Sequence, residues 1–496
     1  MKRSLTRRDF LGSGLALLVA GPAAAGAPTA SWRPVLRGED LYKQTVPGAE
    51  ALVAKAKLPG KVSFAVADAF SGEFLEGAEE EVAAPPASVA KALTALYALD
   101  ALGPAHRFET RILATGGVVN GEVQGDLILA GGGDPTLDTD GLAQLAADLK
   151  AAGVHGVRGA FHVHEGDFPA QVQIDPDQPD HVGYNPAVSG MALNYNRVHF
   201  EWRRENGDFT VTMDARTERY RPDVSVAVMR IEDRAAPVYT YADRGGRDHW
   251  TVAKGALGKG GARWLPVRKP ALYAGEVFAT LAGAHGIRLK QPEVISALPE
   301  AELLAFFRSG DLLGILRDML KHSTNLTAEL VGLAATARRV GPVGSLRQSA
   351  AQMNRWAQLT LGMRGPALVD HSGLSDLSRL SARDMVTALV RAHDGLLRGI
   401  LKEIALRDAK GRPDKAHALQ VHAKTGTLNF VSGLAGYVTA GENRVLAFAI
   451  FCADVPHRAT IPKAARERPP GAQGWNRRAK TLQQGLIERW GALWGS

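Results

Sequence analysis

The sequence predicts an α+β protein with a separate β-rich unit. An apolar helix is expected over Ala92–Leu102, where Leu93, Leu96 and Tyr97 recur at helical spacing. Residues 105–265 instead contain many short β-like segments separated by glycine turns. Near the C-terminus, three apolar or alternating segments are typical of adjacent strands, and an amphipathic helix follows them. Helices and strands therefore occur together, and the β-rich segment is expected to form a unit of its own.

The segments outside this unit are assigned in chain order. A helix is expected at Ala49–Ala56, and Lys61–Ala67 alternates as a strand that pairs with Glu73–Leu75 across the Ser71-Gly72 turn. A loop of turn residues is expected at Leu368–Arg379. The later helices are predicted at Ala271–Gly286, Leu303–Phe307, Asp311–Lys321, Leu326–Val340, Ser381–Arg398 and Arg477–Trp494. The C-terminal strands are predicted at Val421–Thr427, Ser432–Val438 and Val445–Cys452.

Residues 1–25 have the features of an export signal. A positively charged start is followed by a short apolar stretch to Ala20 and a small-residue cleavage region at Gly21–Ala25. The segment Thr6–Leu11 contains the Arg7-Arg8 pair and resembles the twin-arginine export signal. An ordinary secretory signal is the alternative. Either route leads out of the cytoplasm, so we predict a periplasmic protein exported by the twin-arginine route.

Composition and charge exclude several classes of protein. The 496 residues are 45% hydrophobic and 22% charged, which is enough for a large core in two or three domains. Without residues 1–25 the formal net charge falls from +8 to +5, and no basic block stands out, so nucleic-acid binding is not predicted. No internal segment is long and apolar enough to predict a stable transmembrane anchor.

Candidate metal, phosphate and thiol sites are weak. His162 and His164 would share one strand face, but no third ligand has a recognisable spacing, so no metal is predicted. Gly131–Pro135 lacks the spacing of a phosphate-binding loop and is expected to be a tight turn. Cys452 is the single cysteine and lies in an apolar strand-like segment, so neither a disulfide nor a catalytic thiol is predicted. No cofactor is predicted.

Ser88 and Lys91 form the first candidate catalytic motif. Pro85-Pro86 ends an extended segment, and a helix can begin directly after it with Ser88 in its first turn. Lys91 follows three residues later on the same helix face, so its amine can reach the Ser88 hydroxyl. A serine hydroxyl is a poor nucleophile and requires such a base. A helix cap with a surface lysine is the alternative meaning of this S-x-x-K pattern.

Two further motifs follow in the order used by the penicillin-recognising serine enzymes. Ser323-Thr324-Asn325 ends one helix and begins another, and Lys424-Thr425-Gly426-Thr427 lies on the first C-terminal strand. The patterns S-x-x-K, S-x-N and K-T-G each occur once in the chain. On these motifs the sequence resembles the low-molecular-mass class C penicillin-binding proteins, the D-alanyl-D-alanine carboxypeptidase/endopeptidase group. Thr324 departs from the aspartate that many relatives carry at the variable position of the triplet.

The spacing between the motifs and several further segments favour this group among the penicillin-recognising serine enzymes. Ser88 and Ser323 lie 235 residues apart, which leaves room for the large insertion known in this group. Further segments that match the group are Gly125–Leu127, Gly131–Leu137, Met319–Leu326, Ala328–Leu330, Asp370 and Ser372–Ser375.

The resemblance implies a serine β-lactamase/DD-peptidase-like transpeptidase fold. In this fold a five-stranded antiparallel sheet packs beside a helical cluster, and the site lies in the cleft between them. Residues 26–104 and 269–496 would form this peptidase domain, with S-x-x-K in the first part and S-x-N and K-T-G in the second. Residues 105–268 would form a large β-rich insertion after the Ser88 helix.

The resemblance also implies catalytic roles. Ser88 would attack the carbonyl of the penultimate D-Ala and form an acyl-enzyme, while Lys91 takes its proton. For this step, the Lys424 cation and partial burial would have to lower the pKa of Lys91. Ser323 would relay a proton toward the leaving amine, and Asn325 would hold Lys91 or the peptide.

The K-T-G strand is assigned to substrate binding by the same resemblance. Lys424 and Thr425 would bind the free terminal carboxylate of the substrate, and Gly426 and Thr427 would belong to the same binding strand. The backbone N–H groups of Ser88 and Thr427 are the expected oxyanion hole.

These roles imply a serine D-alanyl-D-alanine carboxypeptidase, an endopeptidase, or both. Its partners would be peptidoglycan stem peptides ending in D-Ala-D-Ala, with β-lactams as covalent inhibitors. A β-lactamase is one alternative, although no glutamate lies in a recognisable deacylating motif between Ser88 and Ser323. A penicillin-binding or murein-sensing protein without turnover is the other, although both serines and both lysines are intact.

We expect export to depend on the Arg7-Arg8 pair. Replacing both arginines with lysine should stop export of a reporter fused after Ala27, because the twin-arginine route depends on this pair. The measurement is the reporter's distribution between cytoplasmic and periplasmic fractions. Unchanged export of the double-lysine fusion would support the ordinary secretory route instead.

Overall fold

The computed structural model describes residue 43, residues 45–441 and residues 444–495. The predicted export signal at residues 1–25 lies outside these residues. Within the described part of the chain, no helix is long and apolar enough to cross a membrane.

Helices occur along the whole of the described chain, and their bounds agree with most of the predicted ones. In chain order the α-helices are α1 Ala49–Ala56, α2 Ala90–Leu102, α3 Thr139–Ala151, α4 Pro270–Ala284, α5 Leu312–His322, α6 Asn325–Val340, α7 Leu346–Leu361, α8 Ala382–Arg391, α9 Leu397–Ile400, α10 Val455–Ala459 and α11 Ala472–Trp494.

Most strands lie between α2 and α5 in the chain, and smaller groups lie before α2 and after α9. In chain order they are β1 Lys61–Asp68, β2 Phe74–Ala78, β3 Glu109–Ala114, β4 Val118–Val119, β5 Glu122–Val123, β6 Leu127–Ala130, β7 Gly156–Val157, β8 Phe161–His164, β9 Arg197–Glu205, β10 Asp208–Asp214, β11 Ala227–Glu232, β12 Tyr239–Arg244, β13 Arg247–Ala253, β14 Gly260–Pro266, β15 Pro292–Ile295, β16 Glu302–Arg308, β17 Lys402–Glu403, β18 Gln420–Leu428, β19 Val431–Ala440 and β20 Arg444–Ala453.

An antiparallel sheet joins N-terminal and C-terminal strands. Its strand order is β17-β18-β19-β20-β1-β2. The first strand, β1, pairs with β20 along its whole length, from Lys61 opposite Ala453 to Asp68 opposite Leu446. The predicted five-stranded antiparallel sheet is therefore confirmed, and the two-residue strand β17 extends it by pairing with β18 at the edge.

Different helices cover the two faces of this sheet. Successive side chains of a strand point to opposite faces, so Phe64 and Val66 face one side and Ala65 and Ala67 the other. The larger pair packs into a core with α1 and α11, in which the Phe64 and Trp490 rings lie 6.0 Å apart. The alanines face a cluster formed by α2, α5, α6, α7 and α8. The candidate catalytic motifs lie at the border between this cluster and the sheet.

A second group of sheets lies between α2 and α5 in the chain, and we call it the β-rich unit. Its largest sheet has the order β15-β8-β6-β3-β16, and α3 and α4 share its apolar core. Smaller sheets with the orders β10-β9-β14, β11-β13-β12 and β4-β5-β7 complete the strand pairing. Helix α4 and strands β15 and β16 thus continue this unit beyond residue 268.

The helix predicted at Leu303–Phe307 is wrong. These residues form β16, which pairs antiparallel with β3 from Glu302 opposite Ala114 to Arg308 opposite Glu109. Five consecutive apolar residues do not distinguish a helix from a strand. Pairing with β3 satisfies the backbone N–H and C=O groups of this segment, and that partner is far away in sequence.

Three further helix assignments differ from the prediction. The single helix predicted at Ser381–Arg398 is divided, because α8 ends at Arg391 and α9 begins at Leu397. The sequence analysis does not identify α3 and α7. Both begin with a recognisable cap, since the Asp138 side chain accepts the Gly141 N–H over 2.8 Å, and Ser345 caps α7 in the same way.

Candidate active site

Ser88 lies in a short turn directly before α2. Residues Ala87–Val89 form a 3-10 turn that contacts β18 and β19 at two glycines. A Cβ atom on Gly426 would lie 2.6 Å from the Pro86 carbonyl oxygen, and one on Gly433 would lie 3.1 Å from the same oxygen. A larger residue at Gly426 would therefore displace the turn that carries the serine.

The Lys91 amine is completely buried and has three hydrogen-bond partners. Its Nζ lies 2.9 Å from Ser88 Oγ, 2.7 Å from Asn325 Oδ1 and 2.8 Å from the backbone carbonyl oxygen of Ser372. The contact with Ser88 follows from the three-residue spacing at the start of a helix. The other two partners come from segments more than 200 residues later in the chain.

The S-x-N motif forms the junction between α5 and α6. Ser323 ends α5 in the left-handed conformation with φ of +59°, and α6 begins at Asn325. This reversal places Ser323 Oγ 3.0 Å from Lys424 Nζ, from which it accepts a hydrogen bond. Asn325 holds Lys91 with its amide oxygen, while its Nδ2 donates to the Tyr184 carbonyl oxygen over 2.8 Å. Asn325 therefore connects the lysine to the β-rich unit.

The K-T-G strand places Lys424 inside the site and the threonines on its surface. Lys424 is 1% exposed, and its Nζ also donates to the Thr425 carbonyl oxygen over 2.7 Å. Thr425 and Thr427 have exposed side chains. Thr427 lines the cleft next to Ser88, whereas Thr425 is not among the lining residues. Gly426, assigned to substrate binding from the sequence, lies beneath the serine turn.

Burial changes the proton affinity of both lysines. It lowers the pKa of Lys91 to about 7, although the negative charges of Glu329 and Asp370 oppose this shift. Burial, followed by the charge of Lys91, lowers the pKa of Lys424 well below its usual range. The main cause at Lys91 is thus burial, whereas the sequence analysis named the Lys424 cation first. A neutral amine is consequently available beside Ser88 near neutral pH.

Ser88 opens into a cleft of about 220 Å³ whose walls come from distant segments. Gln178 and Tyr184 enter it from the β-rich unit, and Arg458, Arg466 and Glu467 enter it from the segment after β20. The sequence analysis does not identify these five residues, because no local motif marks them. The predicted site residues that line the cleft are Ser88, Ser323, Asn325 and Thr427.

Ion pairs hold two of these walls together. The Glu467 carboxylate lies 2.7 Å from His181 Nε2 and 2.8 Å from an Arg263 nitrogen. Hydrogen bonds from these two side chains hold the pKa of Glu467 at about 2. Lys463 and Asp180 form another pair at 2.8 Å. The segment after β20 is thus bound to the β-rich unit beside the cleft.

Glu329 is a buried carboxyl group that the sequence analysis does not assign to the site. It lies on α6 one turn after Asn325, so the two residues share a helix face. Its Oε2 accepts the His371 N–H over 3.0 Å, and its Oε1 accepts the Ser372 N–H over 2.9 Å. The Ser372 carbonyl oxygen in turn accepts a hydrogen bond from Lys91 Nζ. Two sequence signals were available: the four-residue spacing from Asn325 and the match of Ala328–Leu330 to the family.

Residues 370–375 form a buried loop, which we call the 370–375 loop. Asp370 accepts the backbone N–H groups of Gly373 over 2.9 Å and Ser375 over 2.7 Å. Gly373 has φ of +70°, and a Cβ atom there would lie 1.9 Å from the Ala87 carbonyl oxygen. The sequence analysis expects turn residues here and notes that Asp370 and Ser372–Ser375 match the family. In the structure the loop packs directly behind the serine turn.

The weaker candidates His162 and Cys452 are not among the residues that line the cleft. His162 has carboxylate neighbours, with Nε2 3.5 Å from Asp126. Among the residues that the structure describes, no group of three or more His, Cys, Asp or Glu side chains is placed to hold a metal ion. Cys452 is buried as a free thiol, and burial raises its pKa to about 12.

The fold and the site together define a class of protein. A serine beside a buried lysine amine, with a second serine–lysine pair across a cleft between a sheet and a helical cluster, is the arrangement of the penicillin-recognising serine hydrolases. Residues 49–469 match the sequence model of the D-Ala-D-Ala carboxypeptidase 3 (S13) family. The chain therefore belongs to this family of serine-type D-Ala-D-Ala carboxypeptidases, as the resemblance predicts.

Individual relatives agree with this assignment. The chain is 29% identical over 484 residues to the D-alanyl-D-alanine carboxypeptidase of Actinomadura sp. (strain R39), covering 88% of this chain and 84% of the relative. Its fold is similar to the crystal structure of penicillin binding protein 4 from Haemophilus influenzae, with a TM-score of 0.71, 20% identity, and coverage of 89% and 99%. A crystal structure of that protein complexed with a β-lactam has a TM-score of 0.68, 19% identity and the same coverage. The predicted DD-peptidase fold is thus confirmed.

The glycine of the 370–375 loop is expected to control the position of the serine. Gly373→Ala should lower the rate of acylation by labelled penicillin by roughly tenfold or more, because the added methyl group would displace the Ala87 carbonyl. Gly362→Ala is the matched control, since Gly362 has φ of +74° and its nearest neighbour would be 3.9 Å away. Both variants incur the left-handed strain of about 1 kcal/mol. Equal acylation rates in the two variants would contradict the expectation.

Proposed function

We propose that this protein hydrolyses D-Ala-D-Ala bonds of peptidoglycan stem peptides, and D-Ala cross-links between them, through an acyl-enzyme on Ser88. β-Lactams would acylate the same serine, as the β-lactam complex of the structural relative suggests. Membership of the S13 family supports the peptidase activity. The observation that carries the residue assignment is the 2.9 Å contact between the buried Lys91 amine and the Ser88 hydroxyl. The proposed compartment is the periplasm.

The surroundings of Lys91 suit a general base. A lysine ammonium has three N–H donors, whereas the neutral amine has two and a lone pair. The Asn325 amide oxygen and the Ser372 carbonyl oxygen can only accept hydrogen bonds, so they take both hydrogens of the neutral amine. The lone pair then points to the third neighbour, Ser88 Oγ. The proton of the serine hydroxyl can therefore pass to Lys91 as the substrate carbonyl is attacked.

The proposed reaction has two steps. In the first, Ser88 Oγ bonds to the carbonyl carbon of the penultimate D-Ala, Lys91 takes the hydroxyl proton, and the C–N bond breaks as the leaving amine is protonated. Ser323, which is hydrogen-bonded to Lys424, is the proposed relay of a proton to the leaving amine. In the second step, water attacks the ester, and its proton returns Ser88 to the hydroxyl form. The backbone N–H groups of Ser88 and Thr427 are the proposed donors to the oxyanion.

Lys424 is the proposed partner of the substrate's terminal carboxylate. Its amine is buried beside Ser323, and a carboxylate brought next to it would favour the protonated, charged form. A charge-assisted hydrogen bond to a partly desolvated carboxylate contributes about 1.5–3 kcal/mol. A substrate with a free D-Ala terminus would therefore bind more tightly in the transition state than one whose terminus is amidated.

The nucleophile assignment is tested by Ser88→Ala. We expect this variant to lose covalent labelling by penicillin while its melting temperature stays within a few degrees of the parent protein, because the change removes one half-buried hydroxyl. Mass spectrometry of the labelled parent protein should place the adduct on Ser88. An adduct on another serine would contradict the assignment.

The same experiment separates the alternatives if a D-Ala-D-Ala pentapeptide is added. Release of D-Ala by the parent protein and its loss in Ser88→Ala supports the peptidase. Labelling without D-Ala release would support a sensor, and rapid penicillin turnover would support a β-lactamase. Digestion of purified sacculi then shows whether trimmed stem peptides or opened cross-links dominate.

The carboxylate assignment is tested by Lys424→Ala on two substrates. We expect kcat/KM to fall at least about tenfold on a peptide with a free D-Ala terminus and much less on its amide. Lys61→Ala is the control, since it removes an exposed cation of the same sheet that is not among the charges acting on Lys424. Equal losses on both substrates at their own pH optima would contradict a carboxylate-binding role.

The same variant should also change the pH profile. Lys91 works in its neutral form, so the rate rises with pH through the Lys91 pKa. The charge of Lys91 lowers the pKa of Lys424, and because repulsion between two charges is mutual, a protonated Lys424 disfavours protonation of Lys91. Removing Lys424 should therefore raise the Lys91 pKa. The acidic limb of the profile should therefore move to higher pH in Lys424→Ala.

A further inference from the structure

We propose that Glu329 is a positioning residue for the Lys91 amine, acting through the backbone of Ser372 in the 370–375 loop. The inference rests on the proposed function, in which neutral Lys91 takes the proton of Ser88. It adds a residue that touches neither the substrate nor the serine.

The contacts form a continuous chain from α6 to the nucleophile. Glu329 accepts the N–H groups of His371 and Ser372 over 3.0 and 2.9 Å, one with each carboxylate oxygen. The carbonyl oxygen of Ser372 accepts a hydrogen bond from Lys91 Nζ over 2.8 Å, and that Nζ lies 2.9 Å from Ser88 Oγ. The glutamate therefore determines where one of the two fixed acceptors of the amine is located.

A carboxylate is required for this arrangement. Each of its oxygens can accept an N–H, whereas an amide side chain has one accepting oxygen and a donating nitrogen. Glutamine at position 329 could satisfy one of the two N–H groups and would direct its own N–H at the other. Glu329 is fully buried within an apolar segment of α6, where an unpaired carboxyl group would be costly. Its presence there indicates a role beyond filling the core.

The loop has other anchors that do not depend on Glu329. Asp370 holds the Gly373 and Ser375 N–H groups, and Thr94 Oγ1 on α2 donates to the His371 carbonyl oxygen over 2.6 Å. Loss of the Glu329 contacts should therefore leave the loop folded but loosen the segment that faces Lys91. Loss of the Glu329 contacts should consequently change the acylation rate and the melting temperature to different extents.

The electrostatic surroundings add a second effect. The charged groups that act on the Lys91 amine are Glu329 on α6 and Asp370 in the loop, and the charge of Lys91 in turn acts on Lys424 of β18. His371 is uncharged, because burial lowers its pKa to about 3. Burial, followed by the charge of Asp370, raises the pKa of Glu329, whereas the N–H groups of His371 and Ser372 that it accepts lower this pKa and favour the carboxylate form. A negative charge at Glu329 favours protonated Lys91, so replacing it with a neutral residue should lower the Lys91 pKa.

The test is the acylation rate constant of Glu329→Gln with labelled penicillin, measured across pH. We expect the rate constant at its high-pH plateau to fall by roughly 10- to 100-fold, because the Lys91 amine loses its fixed orientation. The acidic limb of the profile, where the rate constant rises with pH, should move to lower pH, opposite to the shift expected for Lys424→Ala. The melting temperature is measured in parallel.

Asp384→Asn is the matched control. Asp384 is also a buried carboxylate on a helix, and it accepts the N–H groups of Arg364 and Gly365 over 2.6 and 3.1 Å. It lies on α8 and does not line the cleft. Its replacement should lower the melting temperature but change neither the plateau nor the acidic limb of the acylation profile.

Glu329→Asp covers the case in which the glutamine variant does not fold. The shorter side chain keeps the charge but cannot reach both N–H groups, so the plateau should fall while the acidic limb stays in place. A glutamine variant, or failing that an aspartate variant, whose plateau and limb match those of Asp384→Asn would overturn the inference. Absence of acylation in the parent protein would overturn the proposed function first, and the inference with it.

Discussion

The burial of the Lys91 amine is the constraint on which the rest of the site depends. An ammonium group away from water is unfavourable, so burial lowers its pKa to about 7 and requires a partner for every N–H that remains. The partners come from three segments that are far apart in the chain: the Ser88 turn, the start of α6 at Asn325, and the 370–375 loop at Ser372. The helical cluster and the loop must therefore be folded before the amine can act as a base.

Close approach of backbones makes this convergence possible. The turn carrying Ser88 is contacted by the sheet at Gly426 and Gly433 and by the 370–375 loop at Gly373. A side chain on Gly426 or Gly373 would overlap a backbone atom of that turn. The serine is thus enclosed on two sides by main chain, which leaves the cleft as its route to the substrate. Rigid surroundings of this kind suit a site that must hold a hydroxyl and an amine within hydrogen-bond distance.

The β-rich unit is part of the site rather than an appendage. The Tyr184 carbonyl oxygen accepts the amide of Asn325, and Tyr184 also lines the cleft. On the other wall, Glu467 is joined to His181 and Arg263 of the same unit. The orientation of Asn325, and through it that of Lys91, consequently depends on a segment that the peptidase motifs do not include.

The sequence by itself determined the Ser88–Lys91 pair and the family. Residues three apart on a helix must share a face, and the three motifs occur once each in a characteristic order. Tertiary structure decided the remainder. The segment Leu303–Phe307 became a strand because β3, nearly 200 residues earlier, offered its backbone for pairing. Glu329 became part of the site because the 370–375 loop folds against α6, and its spacing from Asn325 cannot by itself indicate which backbone groups that loop brings to the carboxylate.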